Sequence, residues 1–366
     1  MSESSALPVL GVVVVAFRSA DVILDCLESL LGATGGARLR IVVVDNASPD
    51  NTVQVIRDWA SGATAYEPPD AVPFAIPVAA KPVALVETTP GAGELAPMGG
   101  VTLVHAGLNG GFAAGVNRGI EALEAAAPEA ADIWVLNPDG IAAPGAAAAF
   151  AQAAADTPGY GLMGGRLCYT GPDARVQLDG GTIDKKTGTT GNVNQGADAA
   201  TTPYPAPDQM DFITGASMLT SRAFRRHAGA MPEHYFLYYE EVDWALSRGD
   251  LPLAVADGAL VYHYAGTAIG SARMGELASP FSLYFKHRNR MWFVRKFFPS
   301  AWPTAWAYGM AKIGQMVLKR AWPEAWATFA AIHGMAPPRS VAEKLSPDAK
   351  RIAFAGPKGA PRVAET

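Results

Sequence analysis

Cysteine is almost absent from this chain: Cys26 and Cys168 are the two in 366 residues, with no CxxC and no Cys/His zinc spacing. That excludes a disulfide framework and a structural zinc ribbon. Charge is sparse as well, at 17% against 49% hydrophobic residues, so a large core can form. No run of about 18 uncharged apolar residues occurs, and no transmembrane helix is expected. The apolar run at Val9–Phe17 is short and lacks a basic leader, so it reads as a strand rather than a signal peptide. A cytoplasmic protein is the expectation. The formal net charge of -5 argues against general nucleic-acid binding. Acid is missing from one long stretch: residues 281–320 hold eight Lys and Arg and no Asp or Glu, leaving -13 for the rest. Such asymmetry points to a polyanion or membrane surface near that segment.

What is present reads as alternating strands and helices. "LGVVVVAF" (10–17) and "RIVVVD" (40–45) are valine-rich runs typical of strands buried on both faces. Ser19 is expected to cap a helix carrying Ile23, Leu27, Leu30 and Leu31. Ser48-Pro49 is expected to open another helix running through Trp59. Residues 61–100, rich in Pro, Gly and Ala, look like an insertion with a short strand at 83–87. Further strands are expected at 101–105 and 132–136, a glycine-rich turn and helix follow the first, and an alanine-rich helix spans 142–155. Residues 160–210 are expected to be irregular or to form short antiparallel strands, and "LAVADGALVYH" should form a strand ending at His263. The fold class is therefore α/β, a mostly parallel sheet with flanking helices, plus a helical, basic and aromatic C-terminal segment. Expected boundaries are 1–275 for the catalytic domain, 276–340 for the helical segment and 341–366 for a flexible tail.

Ligands of open parallel sheets bind at the carboxyl ends of the strands. Two acids stand there, Asp45 after "RIVVVD" and Asp139 in "IWVLNPDG". Glu240, Glu241 and Asp243 cluster in "YYEEVDW", and His263 lies 22 residues after Glu241. A carboxylate with a histidine suits a divalent cation with open positions, and a further carboxylate can serve as a base. Each feature alone has a structural explanation: Asp45 as a turn cap, Asn137-Pro138-Asp139-Gly140 as a turn, the three acids as a solvated helix face, His263 as a core residue. It is their order along one chain that favours chemistry.

In that order the motifs "VVVVAFRSADVILDCLESLL", "IVVVDNASPDNT", "NGGFAAGVNRGI", "WVLNPDG", "FITGASMLTSRAF" and "YFLYYEEVDWALSR" resemble glycosyltransferase family 2, with the GT-A (Rossmann-like) fold, over roughly residues 9–300. "YFKHRNRMWFVRKFFP" resembles the tail of its rhamnosyltransferase-like branch. The resemblance implies inverting, metal-dependent transfer of a sugar, rhamnose or a relative, from a dTDP- or UDP-sugar to a bacterial cell-envelope glycan or lipid-linked acceptor. It implies that Asp45 contacts the nucleotide base, with Ala16 and Phe17 near base and ribose. Asn109, Gly111, Asn137, Gly215 and Glu240 fall among the substrate-binding positions. Asp139 and His263 become ligands of Mg2+ or Mn2+, and Glu241 the catalytic base. Two departures matter. Asn137 stands where the family's Asp-x-Asp motif has its first aspartate, and glutamate stands where the base is more often aspartate, which leaves open whether Asp243 takes that role.

Other enzyme classes fit less well. "GLNGGFAAGVNRG" is not GxGxxG and lies far from the first strand–helix turn, and GxxxxGK[ST] is absent, which disfavours dinucleotide oxidoreductases and P-loop enzymes. A sugar nucleotidyltransferase and an inactive, transferase-like binding subunit of a polysaccharide assembly complex stay as alternatives. Residues 281–335 are expected to form helices lying on the cytoplasmic leaflet of the membrane, with packing against the catalytic domain or a second subunit as the rival expectation.

Overall fold

The computed structural model of the protein describes residues 7–33, 35–171, 175–264 and 277–357. The chain begins β1 (Val9–Ala16), α1 (Ile23–Gly32), β2 (Arg38–Asp45) and α2 (Thr52–Ser61), then runs through the insertion to β3 (Leu85–Thr88) and β4 (Val101–His105). Next come α3 (Phe112–Ala126), β5 (Asp132–Leu136), β6 (Gly140–Ala142), α4 (Ala146–Asp156), β7 (Leu162–Tyr169), β8 (Val176–Leu178), β9 (Gly181–Asp184) and β10 (Thr189–Asn192). The rest is β11 (Ser217–Thr220), α5 (Arg222–Ala228), α6 (Glu240–Leu246), β12 (Leu253–His263), α7 (Pro280–Phe297), α8 (Trp302–Leu318), α9 (Trp322–Ile332), α10 (Arg339–Ala342) and α11 (Pro347–Ala353).

Among the described residues ten strands form one sheet in the order β3-β4-β2-β1-β5-β11-β7-β12-β6, with β8 on β7. Strands β3, β4, β2, β1 and β5 are mutually parallel; β11 runs against both β5 and β7. The valine runs explain the centre. Val12, Val13, Val14 and Val43 are fully buried, because helices cover both faces of the sheet. In-register pairing puts Ala16 beside Asp45 and Val14 beside Leu136, so the carboxyl ends of β1, β2 and β5 form one rim.

Two helix starts differ from expectation. α2 begins at Thr52 rather than at Ser48-Pro49. Ser48 is held in the rim, where its N–H donates to Asp45 Oδ1 (3.1 Å) and its hydroxyl accepts from Arg18 N–H (3.2 Å). α1 begins at Ile23, because the Ser19 hydroxyl accepts from Phe17 N–H instead of capping. The insertion is anchored by Glu28 of α1. Its fully buried carboxylate accepts from Trp59 Nε1 (2.7 Å), Ala79 N–H (2.7 Å) and Lys81 Nζ (2.6 Å).

The C-terminal region departs further. α7 is helical as expected; Arg288, Arg290 and most of its aromatic residues are turned inward, while Lys286, Arg295 and Lys296 are exposed. Arg288 and Arg290 are 3% and 1% exposed, and Phe281, Tyr284, Phe285 and Phe293 are buried. The rival expectation, packing, describes the buried face of α7: Arg288 donates to Tyr235 O and Ala353 O, and Arg290 to Thr187 O and Ala305 O. Residues 341–353, within the stretch expected to be a flexible tail, end in α11. Val341, Leu345, Ala349 and Ala353 join a cluster with Phe281, Tyr284 and Phe285, and Arg288 Nη1 donates to Ala353 O (2.6 Å). The expected domain boundary at 275/276 lies outside the described residues. No helix among those described is long and apolar enough to cross a membrane.

Candidate active site

The rim starts at β2. Asp45 is 5% exposed, its carboxylate fixed by Ser48 N–H, and Ala16 is its strand partner, with Phe17 half-buried beyond. Asn46 N–H donates to Ala16 O (2.9 Å), and Asn46 Nδ2 donates to Gly111 O (2.9 Å). Asn109 Oδ1 accepts from Gly111 N–H (2.9 Å), tying the β4–α3 turn to the same place. Gly111 must be glycine: its φ is +89°, and a Cβ there would lie 2.3 Å from Phe236 O. The next amide, Phe112 N–H, donates to that same carbonyl (3.0 Å).

β5 delivers Asn137-Pro138-Asp139. Asn137 N–H donates to Ala216 O (3.0 Å), and Gly140 pairs with His263 of β12. That pairing sets His263 Nε2 3.0 Å from Asp139 Oδ1 and 3.2 Å from Asn137 Nδ2, while Nδ1 lies 2.9 Å from Gln177 Oε1. With Gln177 Oε1 holding the Nδ1 side of the ring, Nε2 faces Asp139. Donor atoms 3.0 Å apart suit adjacent ligands of one hard cation with bonds of about 2.1 Å. Among the described residues no group of three or more His, Cys, Asp and Glu gathers as a metal cage. One carboxylate and one imidazole leave most coordination positions open, which fits a cation shared with a diphosphate.

Glu240 and Glu241 stand at the start of α6. Gly215, just before Ala216, links them to the rim: a Cβ on it would lie 2.8 Å from the Phe112 ring and 3.8 Å from Glu241 Cβ. Glu240 is 2% exposed, and its Oε2 has no hydrogen-bond partner among the described residues. Burial, then the neighbouring Glu241 charge, pushes its pKa well above the carboxylate range. Glu241 is half-buried; burial raises it too, but the backbone amides of Glu241 and Val242 and the Lys286 charge pull the other way. Burial thus raises both members of the pair, and only Glu241 has a cation and two backbone amides opposing that shift. Asp243 is placed apart. It is 1% exposed, accepts from Tyr235 OH (2.9 Å) and pairs with Lys296 Nζ, 2.8 Å from each oxygen. The structure thus gathers Ala16, Asp45, Asn109, Gly111, Asn137, Asp139, Gly215, Glu241 and His263 around one rim, and leaves Asp243 in an ion pair beneath it.

Sequence reasoning missed the support of α6. The preceding loop holds Phe236, Tyr238 and Tyr239 at positive φ (65°, 69° and 73°), a strained run for bulky residues. Asn289 of α7, fully buried, lies under it: its Nδ2 approaches Tyr235 O (2.9 Å), Leu237 O (2.7 Å) and Tyr238 O (2.9 Å). Arg288 Nη2 also donates to Tyr235 O (2.9 Å), and its Nε donates to Asn289 Oδ1 (2.9 Å). The available signal was "HRNR" within an aromatic helix, polar groups with no solvent face to occupy.

A family model for "Glycosyl transferase family 2" matches residues 11–70, the segment from β1 through α2 and into the insertion. No curated protein sequence matches the chain significantly. Among solved structures, GalNAc-T7 with UDP, GalNAc and Mn2+ is similar at TM-score 0.51 and 12% identity, covering 86% of this chain and 52% of that one. A TarS 1–349 structure from S. aureus aligns at TM-score 0.45 and 13% identity over 95% and 91% of the two chains. Mannosyltransferase PcManGT from Pyrobaculum calidifontis, with GDP-Man and Mn2+, aligns at 0.43 and 15% over 89% and 86%. The chain spans about half the length of the GalNAc-T7 structure. The fold is that of the GT-A glycosyltransferases: a mostly parallel sheet with flanking helices, here followed by a packed helical segment.

Proposed function

We propose that the protein is a family 2 glycosyltransferase that moves a sugar from a nucleoside-diphosphate sugar to an acceptor hydroxyl with inversion, using a divalent cation. The observation that carries this reading is the convergence of Asp139 and His263, 3.0 Å apart, on the rim that also holds Asp45 and borders Glu241.

In this reading Asp45, Ala16 and Phe17 receive the nucleoside at the ends of β1 and β2. Asp139 and His263 would hold the cation, with Gln177 orienting the imidazole. A cation held there would supply Lewis-acid compensation for the charge on the departing diphosphate. Glu241, ionised beside a protonated Glu240, takes the proton from the acceptor hydroxyl. The acceptor oxygen then bonds to the anomeric carbon as the bond from that carbon to the diphosphate oxygen breaks. A single displacement needs no protein nucleophile and inverts the anomeric centre. Asp243, locked by Lys296 and Tyr235, is a structural anchor for α6.

In this reading α8 and α9, within the same 281–335 segment, add to the membrane contact. Trp306, Leu318, Trp322 and Trp326 are exposed there, with Lys319 and Arg320 beside them. Release of nucleoside diphosphate from a panel of dTDP- and UDP-sugars in Mn2+, rhamnose among them, tests the enzymatic reading. Sugar-specific release above the rate without protein supports it, and binding without release from any donor supports a non-catalytic subunit.

A further inference from the structure

The α7–α8 side of Glu241 carries cations that the proposed chemistry does not use. Lys286 and Arg290, one helical turn apart, share a face of α7. Arg290 lies over the Tyr308 ring (5.3 Å to centroid), and Lys312 of α8 lies over the same ring (5.5 Å). His287 belongs to the group: burial, then the charges of Arg290, Lys286 and Lys312, push its imidazole down to about 3, so it stays neutral. Lys286 is exposed and its charge reaches Glu241.

None of Lys286, Arg290 and Lys312 forms an ion pair among the described residues. Arg290 is the telling case. At 1% exposure it donates through Nη1 alone, to Thr187 O (2.6 Å) and Ala305 O (3.0 Å), while Nε and Nη2 have no acceptor. Elsewhere in this chain that same Nε/Nη2 edge grips a carboxylate: Arg166 on Asp179 (2.8 and 2.7 Å) and Arg57 on Glu87 (2.7 Å each). A buried guanidinium without a counter-charge is costly and needs explanation. His287 Nδ1 nearby is also unpartnered.

We propose that this face is an acceptor subsite for a phosphoryl oxyanion, so that the acceptor is a phosphate- or diphosphate-bearing saccharide. The inference rests on the glycosyltransferase reading for the word acceptor; the anion site itself does not. Lys286 and Lys312 contact the oxyanion at the surface, and the uncompensated Arg290 beneath them adds its field. Because the Lys286 charge acts on Glu241, an anion held there places an attached sugar on the base's side of α7. The same oxyanion chemistry occurs on a soluble phosphosaccharide and in a lipid headgroup, and the experiment separates them.

Inorganic pyrophosphate is titrated calorimetrically into the full chain in chelator, where the Asp139–His263 pair has no cation to offer. Binding is expected in the parent and in Asp139→Ala alike. In the double variant K286Q/K312Q it is expected to weaken by about five- to tenfold, the scale of two part-exposed charge contacts. Nucleoside diphosphate affinity in Mn2+ serves as a folding and donor-site control and stays unchanged in that variant. Absence of pyrophosphate binding in the parent, or equal binding in the double variant, overturns the subsite. Loss of parent nucleotide binding with pyrophosphate binding intact instead removes the donor-site reading alone. Sedimentation with phosphatidylcholine vesicles, with and without phosphatidic acid, identifies the source. Vesicle binding that needs both phosphatidic acid and the two lysines supports a lipid headgroup, and pyrophosphate binding without it supports a soluble phosphosaccharide.

Discussion

Asn289 places one amide nitrogen 2.7 Å from the carbonyl of Leu237, in the loop that leads into α6. The same nitrogen meets the carbonyls of Tyr235 and Tyr238, so a single buried side chain fixes a loop with three bulky residues at positive φ. Strain of that kind costs on the order of 1–3 kcal/mol per residue and persists only where surroundings enforce it. The loop also presents Phe236 O to Phe112 N–H, so α7 holds the Glu241 side and the nucleotide side of the rim in fixed relation.

Replacing Asn289 by Ala should therefore lower turnover by about 10- to 100-fold, the scale of a small misplacement of a reacting group. Nucleoside diphosphate affinity, which depends on Asp45, should change far less. Steady-state rates together with direct nucleotide titration separate the two. An equal loss in both would mean that Asn289 merely holds the fold.

Glu241 carries the predicted pH dependence. A base must be ionised, and burial raises this carboxyl above its ordinary value. The rate should rise with pH through that raised pKa and level off above it. Glu241→Gln should cost about 10²–10⁴ in rate while retaining donor affinity, and should remove the acid limb of the profile. A profile unaltered by the substitution would assign the limb to another group.

Glu240 gives the complementary stability prediction. Its folded pKa is raised, so the folded state holds a proton that the unfolded chain releases earlier. The stabilising contribution is complete below the unfolded carboxylate pKa and is lost as pH rises through the folded one. Glu240→Gln should raise the Tm at pH 8 relative to the parent, and the difference should shrink toward pH 4. A variant that melts below the parent at pH 8 would contradict a protonated Glu240.

Asp243 is predicted to be structural. Lys296→Met leaves its buried carboxylate with Tyr235 and Ser247 as remaining partners. Lys296 is itself half-exposed, so the expected loss is modest, about 1–2 kcal/mol by denaturant unfolding. Asp243→Asn should lose comparable stability and keep most of its turnover. A drop of several hundredfold in rate with stability intact would make Asp243 the base instead.

The sheet was legible because valine runs buried on both faces announce themselves, and the acids at their ends mark the rim. Local signals misled where a residue had a distant duty. Ser48 looks like a helix cap, yet it closes the Asp45 turn and displaces the start of α2 to Thr52. The inward polar residues of α7 were not legible, because composition does not say which carbonyls await a donor. Arg288, Asn289 and Arg290 find theirs on residues 51–103 positions away in sequence, apart from Ala305. Long-range polar contacts of that kind leave no periodicity to read.

The account stands most directly on Asp139. Titrating UDP and dTDP into the parent and into Asp139→Ala, each with Mn2+ and then with chelator, measures whether this carboxylate couples cation to diphosphate. The predicted result is nucleotide binding strengthened by Mn2+ in the parent and unmoved by Mn2+ in a folded Asp139→Ala. Equal strengthening in both proteins, or none in the parent, would contradict it.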